Sequence, residues 1–481
     1  MSEGLILLIV GGVLAAGVMV AIGAMRIGVP SLVAFLVLGM LLGSEGLGVG
    51  FNDEHLARTV GVIGLSLILF EGGLSTSWRR LREVVVPAAM LSTLGVLITA
   101  FLTGLIAYAL LDISWLSAFL LGAVVSSTDA AAVFATLRYT EIRRRLARTL
   151  EAESGGNDPM AIALTIGLIS WIEMPSFGAG DFVQLIVHQL GLGMLVGLLM
   201  GAAAMYIFAR LPNTIGAFAP VTSVAAFALT FGLAHVIGGS GFLAVYMVGL
   251  AIGSTPSRYR HQLVTFHEGL AFIAQVTMFV VLGLLVVPHA LWAVAAPSII
   301  IAVLLIVFVR PIAVWISTYS SHFTRNERGL LGWAGLRGAL PIVLGTFVLS
   351  ANIPNGALIF NVVFFVVLIS ALIQGTTLEW VARKLGVIDK SKGRKHAKDA
   401  DPNAIETVEF IVDYQHSING AAIREIGLPR QAKVTSIKRR GKTKIPISTT
   451  VIKLNDRLFV SVPVALRPEL EDVFMRWRRR V

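Results

Sequence analysis

Acidic side chains and one isolated arginine stand within strongly apolar stretches of this chain. They are Glu71, Asp129, Glu153, Asp158 and Arg337. A charged side chain at the centre of a bilayer costs about 3 kcal/mol on insertion scales, so such residues usually serve a function rather than stability. Carboxylates in an apolar surrounding can bind a cation or take up protons. These residues therefore predict a path for cations.

Hydroxyl groups accompany two of these carboxylates. Ser154 precedes Asp158 by one helical turn, which places both side chains on one face of a helix. Asp129 directly follows Thr128 in a second apolar stretch. Asp158, Ser154 and Asp129 predict an oxygen site for a monovalent cation, or a pair of carboxylates that takes up protons when the cation leaves. One site would then serve two ions in turn.

The sequence around Asp129 and Arg337 predicts two interrupted helices. The hydroxyls of residues 126–128 can replace backbone partners where a helix unwinds, and the exposed carbonyls can bind a cation. Glycines flank Arg337 on both sides, and Pro341 follows. Broken helices in corresponding halves of a transporter mark a binding site near the middle of the membrane.

Glu153 points away from the face that carries Asp158 and needs a partner, because an unpaired buried charge is heavily penalised. We expect Arg337 to form this ion pair. Arg310, which precedes Pro311 late in its apolar run, is expected to extend its guanidinium to the membrane surface.

The composition predicts a membrane protein with many spans. Of 481 residues, 56% are hydrophobic and only 14% are charged, whereas soluble domains carry about 25% charged residues. The chain contains no cysteine, which excludes disulfides, thiolate metal sites and cysteine nucleophiles. Residues 4–24 are apolar without a basic segment before them, so we interpret them as a membrane helix rather than a cleaved leader.

Thirteen apolar runs are compatible with spans of a bilayer, several of them short enough to be tilted or broken. They cover residues 4–24, 30–43, 57–73, 84–111, 114–136, 149–172, 182–209, 214–236, 241–253, 263–287, 290–319, 328–350 and 356–381. Arginines fall in the odd-numbered connections, whereas the even-numbered ones carry only Arg58 together with several acids. Because cytoplasmic loops carry the excess of basic residues, this alternation predicts an external N-terminus and a cytoplasmic C-terminal region.

The last hundred residues differ from the rest. Residues 382–481 hold the whole formal net charge of +11, while the membrane part is neutral. Residues 386–404 are predicted to be a linker, and 405–481 a small α+β domain with strands at 407–413, 432–439 and 457–463 and helices near 421–426 and 468–476. The basic charge favours anionic lipid or an anionic ligand over nucleic acid.

At the charged residues, the sequence resembles the monovalent cation:proton antiporters of the NhaP type. The resemblance covers essentially residues 4–385. Its motifs are Phe70-Glu71-Gly72-Gly73, Ser127-Thr128-Asp129, Glu153-Ser154-Gly155-Gly156-Asn157-Asp158-Pro159, Phe266-His267-Glu268 and Gly335-Leu336-Arg337-Gly338-Ala339. The Glu-Ser-x-x-Asn-Asp block in an apolar helix is the most specific of them.

The resemblance implies an all-α membrane domain of thirteen helices with inverted repeats and two broken helices that cross. It places the ion site on Asp158 and Asp129, with Ser154, the Thr128 carbonyl and Glu71 as supporting ligands. Glu153 and Arg337 would form its structural ion pair. Asn157 before Asp158 resembles the electroneutral branch, and Pro159 resembles the potassium/proton members.

The C-terminal domain resembles the TrkA-C, or RCK-C, regulatory modules of potassium transport proteins. Ser417-Ile418-Asn419-Gly420, Leu428-Pro429, Ile437-Lys438-Arg439 and Leu454-Asn455-Asp456-Arg457-Leu458 carry this resemblance. It implies dimerisation and leaves a cyclic dinucleotide as a candidate ligand. The sequence departs from the usual Gly-Asp pair at Asn455-Asp456, and it contains no Gly-x-Gly-x-x-Gly for a nucleotide.

The sequence predicts an antiporter of the plasma membrane, the inner membrane of a cell that has two, and not an enzyme; the resemblance further implies a homodimer. It would exchange cytoplasmic K⁺ or Na⁺ for external H⁺ for cation and pH homeostasis, without a resident cofactor. The choice between K⁺ and Na⁺ stays open. Two alternatives have weaker support: a ligand-gated cation channel, which lacks a Thr-Val-Gly-Tyr-Gly filter, and an intramembrane aspartyl protease, which lacks Gly-x-Gly-Asp.

Overall fold

The computed structural model describes most of the chain. The described residues are 2–27, 29–51, 53–137, 142–210, 218–255, 259–388, 405–413, 416–439, 442–463 and 466–477. The chain divides into two compact units, Met1–Ile388 and Asp389–Val481. The first unit is helical, and the second contains a β-sheet. The predicted linker 386–404 lies outside the described residues from position 389 onward.

The helices of the first unit follow the apolar runs of the sequence. In chain order they are α1 (Glu3–Ile27), α2 (Ser31–Leu42), α3 (Glu54–Ser75), α4 (Trp78–Leu81), α5 (Val85–Leu110), α6 (Trp115–Val124), α7 (Ala130–Thr136), α8 (Arg144–Glu173), α9 (Ala179–Arg210), α10 (Phe218–Val236), α11 (Gly241–Ser254), α12 (Arg260–Leu284), α13 (Pro288–Ser317), α14 (Arg325–Trp333), α15 (Ala339–Ser350) and α16 (Gly356–Lys384). Short π-helical turns interrupt α5 at Leu91–Gly95 and α13 at Leu305–Val309.

Length and composition identify the helices that can cross a membrane. Among the described residues, eight helices are long and apolar enough: α1, α3, α5, α9, α10, α12, α13 and α16. Four shorter apolar helices accompany them, α2, α6, α11 and α15. Helix α8 is 30 residues long, but charged residues in its first half lower its mean hydropathy. The protein is therefore a helical membrane protein with many spans.

Polar side chains fix the starts of several helices. The Asp53 carboxylate accepts a hydrogen bond from the Leu56 amide at the start of α3 at 2.8 Å. Ser240 does the same for the Leu243 amide of α11 at 3.3 Å. Such caps satisfy amides that have no partner within the helix, a strong requirement where water is excluded.

The helices of the first unit form two bundles. Helices α1–α3 and α9–α12 pack mainly on one another, and we call them the panel. Helices α5–α8 and α13–α16 form a second set, the crossing bundle. The two sets meet chiefly where α15 packs on α3 and where α8 packs on α9 and α11.

The two interrupted helices that the sequence predicts are confirmed. Residues 125–129 separate α6 from α7, and residues 334–338 separate α14 from α15. The breaks touch, because the Asp129 amide donates a hydrogen bond to the Leu336 carbonyl at 2.8 Å. Each unwound segment thus supplies a partner for the other inside the crossing bundle.

The second unit is a small α+β fold, as the sequence predicts. Its described strands, β1 (Ile405–Ile411), β2 (Lys433–Arg439), β3 (Lys442–Lys444) and β4 (Arg457–Pro463), form an antiparallel sheet in the order β1-β4-β2-β3. A 3₁₀ turn spans Ile423–Glu425, and helix α17 spans Arg467–Trp477. A core around Phe410, Val460 and Phe474 joins sheet and helix.

The turn before β4 accommodates Asn455-Asp456, where the RCK-C resemblance leads us to expect Gly-Asp. Asn455 has φ +64°, a left-handed conformation that asparagine tolerates better than most residues do. Asp456 is buried and paired with Arg439 Nη2 at 2.6 Å. Burial alone would raise the pKa of Asp456, but hydrogen bonds from Arg439 and the Lys453 amide outweigh it and hold the pKa below its ordinary value.

Candidate ion-binding site

A cavity of about 240 Å³ lies between the panel and the crossing bundle. Five of the residues predicted for the ion site line it: Glu71, Thr128, Asp129, Ser154 and Asp158. Glu71 comes from α3, Thr128 and Asp129 from the break before α7, and Ser154 and Asp158 from α8. The predicted ligands, distant in sequence, therefore converge on one space.

Asp129 is held at the point where the broken helix resumes. Its carboxylate caps α7 by accepting a hydrogen bond from the Ala132 amide at 3.1 Å. The carboxylate also lies against Gly338 in the second break, where an added Cβ would overlap it. The site needs glycine at position 338, because any side chain there would displace Asp129.

Asp158 and Ser154 occupy one face of α8, as the four-residue spacing predicts. Asp158 is 8% exposed and reaches the cavity. The Ser154 hydroxyl accepts a hydrogen bond from the Ala130 amide at 3.3 Å, which ties α8 to the start of α7. Pro159 cannot donate the hydrogen bond that the Gly155 carbonyl would otherwise accept within the helix.

Asn157 lies behind the cavity rather than in it. Its Nδ2 donates to the Thr128 hydroxyl at 2.6 Å, and the residue is fully buried. The Oδ1 atom of Asn157 has no hydrogen-bond partner within the described residues. Asn157 thus positions the unwound segment that carries Asp129.

The cavity is acidic along its described lining. Glu71 accepts a hydrogen bond from the Ser75 hydroxyl at 2.6 Å, and Glu151 lies in the same lining. With Asp129 and Asp158, four carboxyl groups line the cavity, and none of the described lining residues is basic. Such a lining attracts cations and raises their concentration inside the cavity.

The predicted ion pair of Glu153 with Arg337 is wrong in its partner. Glu153 Oε1 lies 2.6 Å from Arg310 Nη2, and the two side chains are 1% and 3% exposed. Arg310 therefore points into the crossing bundle and does not extend to the membrane surface. Gly335 makes room for it, since a Cβ there would lie 2.6 Å from Arg310 Nε.

Arg337 is buried at the crossing of the two breaks. Its Nη1 donates to the Ser126 and Ser127 carbonyls at 3.0 and 2.6 Å. The physical reason is the unwound segment before Asp129, which leaves carbonyls without the amide donors of a helix. The guanidinium supplies these donors, so Arg337 stabilises the break, whereas the close ion pair of Glu153 is with Arg310.

Polar residues of α16 that the sequence reasoning missed support the second break. The Ser370 hydroxyl accepts a hydrogen bond from the Arg337 amide at 3.0 Å and donates to Gln374 at 2.5 Å. Gln374 in turn donates to the Trp333 carbonyl at 2.7 Å. The signal in the sequence is the four-residue spacing of Ser370 and Gln374 in an apolar helix.

The arrangement can bind a monovalent cation or protons. Carboxylate and hydroxyl oxygens converge among buried residues, where charge on the carboxylates is costly unless a cation or a proton compensates it. Asp129 from the unwound segment before α7 and Asp158 from the continuous helix α8 share this cavity. Such a set of oxygens is chemically suited to hold either a cation or a proton.

Known proteins share both the sequence and the fold. A family model described as the transmembrane sodium/hydrogen exchanger matches residues 12–384. The K⁺/H⁺ antiporter NhaP of Alkalimonas amylolytica is 37% identical over 98% of this chain and 83% of its own length. NhaP2, a K⁺/H⁺ antiporter of Shewanella sp. strain ANA-3, is 34% identical over 94% of this chain and 80% of its own.

More distant relatives include a sodium antiporter and a solved structure. The Na⁺/H⁺ antiporter NhaS2 of Synechocystis is 27% identical over 76% of this chain and 68% of its own length. The structure of the sodium proton antiporter MjNhaP1 from Methanocaldococcus jannaschii matches with a TM-score of 0.71 and 24% identity, over 80% of this chain and 99% of that one. The chain belongs to the transmembrane sodium/hydrogen exchanger family, and within it to the NhaP type, a family of transporters and not of enzymes.

Proposed function

We propose that this cation/proton antiporter moves K⁺ out of the cell in exchange for external H⁺ and does so electroneutrally. The observation that carries the proposal is the cavity in which Asp158, Asp129, Ser154, Thr128 and Glu71 converge. K⁺ rather than Na⁺ is supported by two relatives more than 30% identical that are named K⁺/H⁺ antiporters. Ligand positions alone leave Na⁺ as the second candidate substrate.

The proposed mechanism is competition between the cation and a proton for the Asp158 carboxylate. The carboxylate is either protonated or paired with the cation, because an uncompensated charge is unfavourable as the site moves through the membrane. Asp129 and the Ser154 hydroxyl supply further oxygens, and the Arg337 contacts hold the unwound segment in place. Movement of the crossing bundle against the panel then exposes the site to one side at a time.

Proton flux in proteoliposomes tests this function. A pH dye trapped inside would report exchange on addition of K⁺, Na⁺ or Li⁺ in turn. The wild-type protein is expected to dissipate an imposed pH gradient with K⁺, and Asp158→Asn is expected to abolish the response. Asp112→Asn is the matched control, because Asp112 is an exposed carboxylate that is not among the described residues lining the cavity.

The outcome for Asp158→Asn decides the assignment. Cation-dependent proton flux that persists in Asp158→Asn at the wild-type rate would rule out Asp158 as the exchange site. Loss of flux in both Asp158→Asn and Asp112→Asn would instead point to a general effect of charge removal. Size-exclusion profiles of both variants would confirm that the variants are folded.

Electroneutral exchange is proposed because a neutral Asn157 occupies the position before Asp158 and lies outside the cavity. One carboxylate then exchanges one cation for one proton. Currents on a solid-supported membrane would test the stoichiometry. A K⁺ jump that changes internal pH without a transient current supports one-for-one exchange, and a current in the direction of proton flow contradicts it.

We propose thirteen membrane crossings, with α6–α7 and α14–α15 as two interrupted spans and with the second unit in the cytoplasm. The alternation of arginines supports this orientation. The cysteine-free chain makes a clean test possible. Ser2→Cys is expected to react with an impermeant maleimide in right-side-out vesicles, and Thr449→Cys only in everted ones; the reverse pattern would invert the topology.

The second unit is proposed to be an RCK-C module that regulates exchange and contributes to a homodimer. Its compact core and its basic surroundings are consistent with a small anionic regulator such as a cyclic dinucleotide. Removal of residues 405–481 is expected to leave exchange intact and to abolish its response to the regulator. A truncated protein with an unchanged response would refute this role.

A further inference from the structure

We propose that the Tyr246 hydroxyl is an additional ligand group of the cation site, and that it contributes to cation affinity from one side of the membrane only. Tyr246 lies on α11 of the panel, whereas Asp158 and Asp129 belong to the crossing bundle. The inference rests on the proposed function, because it concerns the affinity of the same site for its cation.

The hydroxyl of Tyr246 is buried and has no partner. Tyr246 is 8% exposed, and its hydroxyl oxygen makes no hydrogen bond with any described residue. Burial of such a group without a partner is unfavourable, because the hydroxyl gives up its hydrogen bonds to water. Buried polar groups are nearly always satisfied, so an isolated hydroxyl beside a binding cavity indicates that a bound species completes it.

The hydroxyl lies next to the face of α8 that carries Asp158. Tyr246 lines the cavity together with Asp158 and Glu151. A Cβ added at Gly155 would overlap the Tyr246 hydroxyl and the ring carbon that bears it. Gly155 and Asp158 are three residues apart and share a helix face. The glycine therefore allows the phenol to approach within about one helical turn of the carboxylate.

The backbone of α11 is fixed to the panel. Added Cβ atoms at Gly73 of α3 and at Gly249 and Gly253 of α11 would each overlap the backbone of the opposite helix, and Gly73 contacts the Tyr246 carbonyl. This close approach of two backbones holds Tyr246 in place relative to α3. The crossing bundle can then move past Tyr246 without carrying it along.

The chemistry of the phenol suits both states of the site. Its oxygen has lone pairs for a cation, and its proton can be donated to a carboxylate. While Asp158 faces Tyr246, the hydroxyl adds one oxygen to the cation shell. When the crossing bundle moves, Asp158 leaves the hydroxyl behind, and the cation loses this oxygen. Cation affinity is thereby higher when the site is open to the side at which Ser75 and Glu151 line the cavity. In the proposed topology this is the cytoplasmic side.

The test is the half-saturating K⁺ concentration of Tyr246→Phe, measured separately from each side in everted and in right-side-out vesicles. The phenyl ring preserves packing, so expression and folding are retained. We expect the half-saturating K⁺ to rise about fivefold on the cytoplasmic side, the size of one lost hydrogen-bond contact, with little change in maximal rate. No change is expected on the external side. Tyr108→Phe is the matched control, because Tyr108 is exposed on α5.

A purely structural role for Tyr246 predicts a different result. The proposal is overturned if Tyr246→Phe leaves both affinities at the wild-type value, or shifts both by the same factor. A wild-type protein without K⁺-dependent proton flux would refute the proposed function itself. Active wild-type protein with an unaltered Tyr246→Phe refutes this inference alone. As a second measurement, the K⁺-induced rise in melting temperature in detergent is expected to shrink in Tyr246→Phe.

Discussion

At the residue scale, the two buried arginines have different partners, whereas the sequence suggested Arg337 alone as the partner of Glu153. Glu153 pairs with Arg310, and Arg337 donates to the carbonyls of the first break. The sequence shows that Glu153 needs a cationic partner, but both arginines stand in apolar runs and both could serve. The choice depends on which unwound carbonyls need donors, and that is a property of the three-dimensional crossing.

Substitution of the buried pair tests this division. Glu153→Gln or Arg310→Gln alone is expected to destabilise the protein by about 3–5 kcal/mol, because each leaves an unpaired buried charge. The double variant is expected to recover much of the loss. Thermal unfolding in detergent would give the coupling energy.

Arg337→Gln provides the comparison for this cycle. Its coupling to Glu153→Gln is expected to be smaller than that of Arg310→Gln, since Arg337 contacts carbonyl groups. A larger coupling between Glu153 and Arg337 than between Glu153 and Arg310 would restore the pair that the sequence suggests.

Asp456 predicts a pH dependence of the second unit. Its pKa is lowered in the folded state, so the unfolded chain binds the proton more tightly, and the contribution to stability is present at neutral pH. This contribution is lost as the pH falls from the ordinary aspartate pKa of about 4 through the folded value. Asp456→Asn, which removes the charge partner of Arg439, is expected to flatten this acidic limb.

Hydrogen exchange of the full-length protein would measure the effect. Protection of amides in β2 and β4 is expected to decrease on acidification in the wild type, after correction for intrinsic exchange. In Asp456→Asn, protection should be lower at neutral pH and less sensitive to acid. Equal pH dependence in both proteins would show that the Arg439 pair does not control this stability.

At the scale of elements, the sequence predicted both helix breaks because hydroxyls and glycines cluster there. It did not predict how closely the breaks approach. Gly338 borders the Asp129 carboxylate, and Gly335 borders Arg310. In the sequence both glycines read as helix breakers, whereas their contacts show that each also leaves space for a charged side chain. This second role depends on Asp129, about two hundred positions from Gly338, and on Arg310, a few tens of positions from Gly335. The local sequence pattern therefore does not reveal it.

Gly338→Ala tests the close approach of the two breaks. The added methyl group would displace the Asp129 carboxylate, so we expect exchange to fall by at least about tenfold, as for loss of a well-placed ligand. Gly191→Ala is the matched control, because no described atom other than its own helix backbone lies within 4 Å of a Cβ there. Full activity of Gly338→Ala would show that the site tolerates movement of Asp129.

At the scale of the whole molecule, a second cavity lies at the opposite end of α3. Its lining includes Arg58, Ile162 and Phe347. Arg58 of the panel contacts α15 of the crossing bundle: its guanidinium lies 4.1 Å from the centre of the Phe347 ring and donates to Ser350 at 3.1 Å. This contact joins the two bundles on the side away from the acidic cavity, so it stabilises the present orientation.

Loss of the Arg58 contact is expected to shift the equilibrium between the two orientations of the crossing bundle relative to the panel. A cation–π contact and a hydrogen bond together contribute about 1–2 kcal/mol, so Arg58→Gln should change their ratio by about tenfold. A cysteine at position 162, deep in the second cavity, would report the change. Its reaction with an impermeant maleimide should become faster in Arg58→Gln. An unchanged rate would show that Arg58 does not stabilise this orientation.

The helical membrane fold with many spans and the acidic residues that line the cavity could be predicted from the sequence, because charge within apolar runs is rare and informative. Glu71, Asp129 and Asp158 came from that signal alone. Tyr246 gave no such signal, since a tyrosine in an apolar helix is ordinary. Its importance depends on Gly155 opposite it and on a hydroxyl without a partner, which only packing reveals.

The central claim is that K⁺ and H⁺ occupy the same carboxylate in turn, and the pH dependence of the half-saturating K⁺ concentration tests it most directly. In proteoliposomes of the wild-type protein, this concentration is expected to rise with acidity, approaching about tenfold for each unit of pH, while the maximal rate at saturating K⁺ stays constant. A half-saturating K⁺ concentration that does not change with pH would contradict a shared site at Asp158.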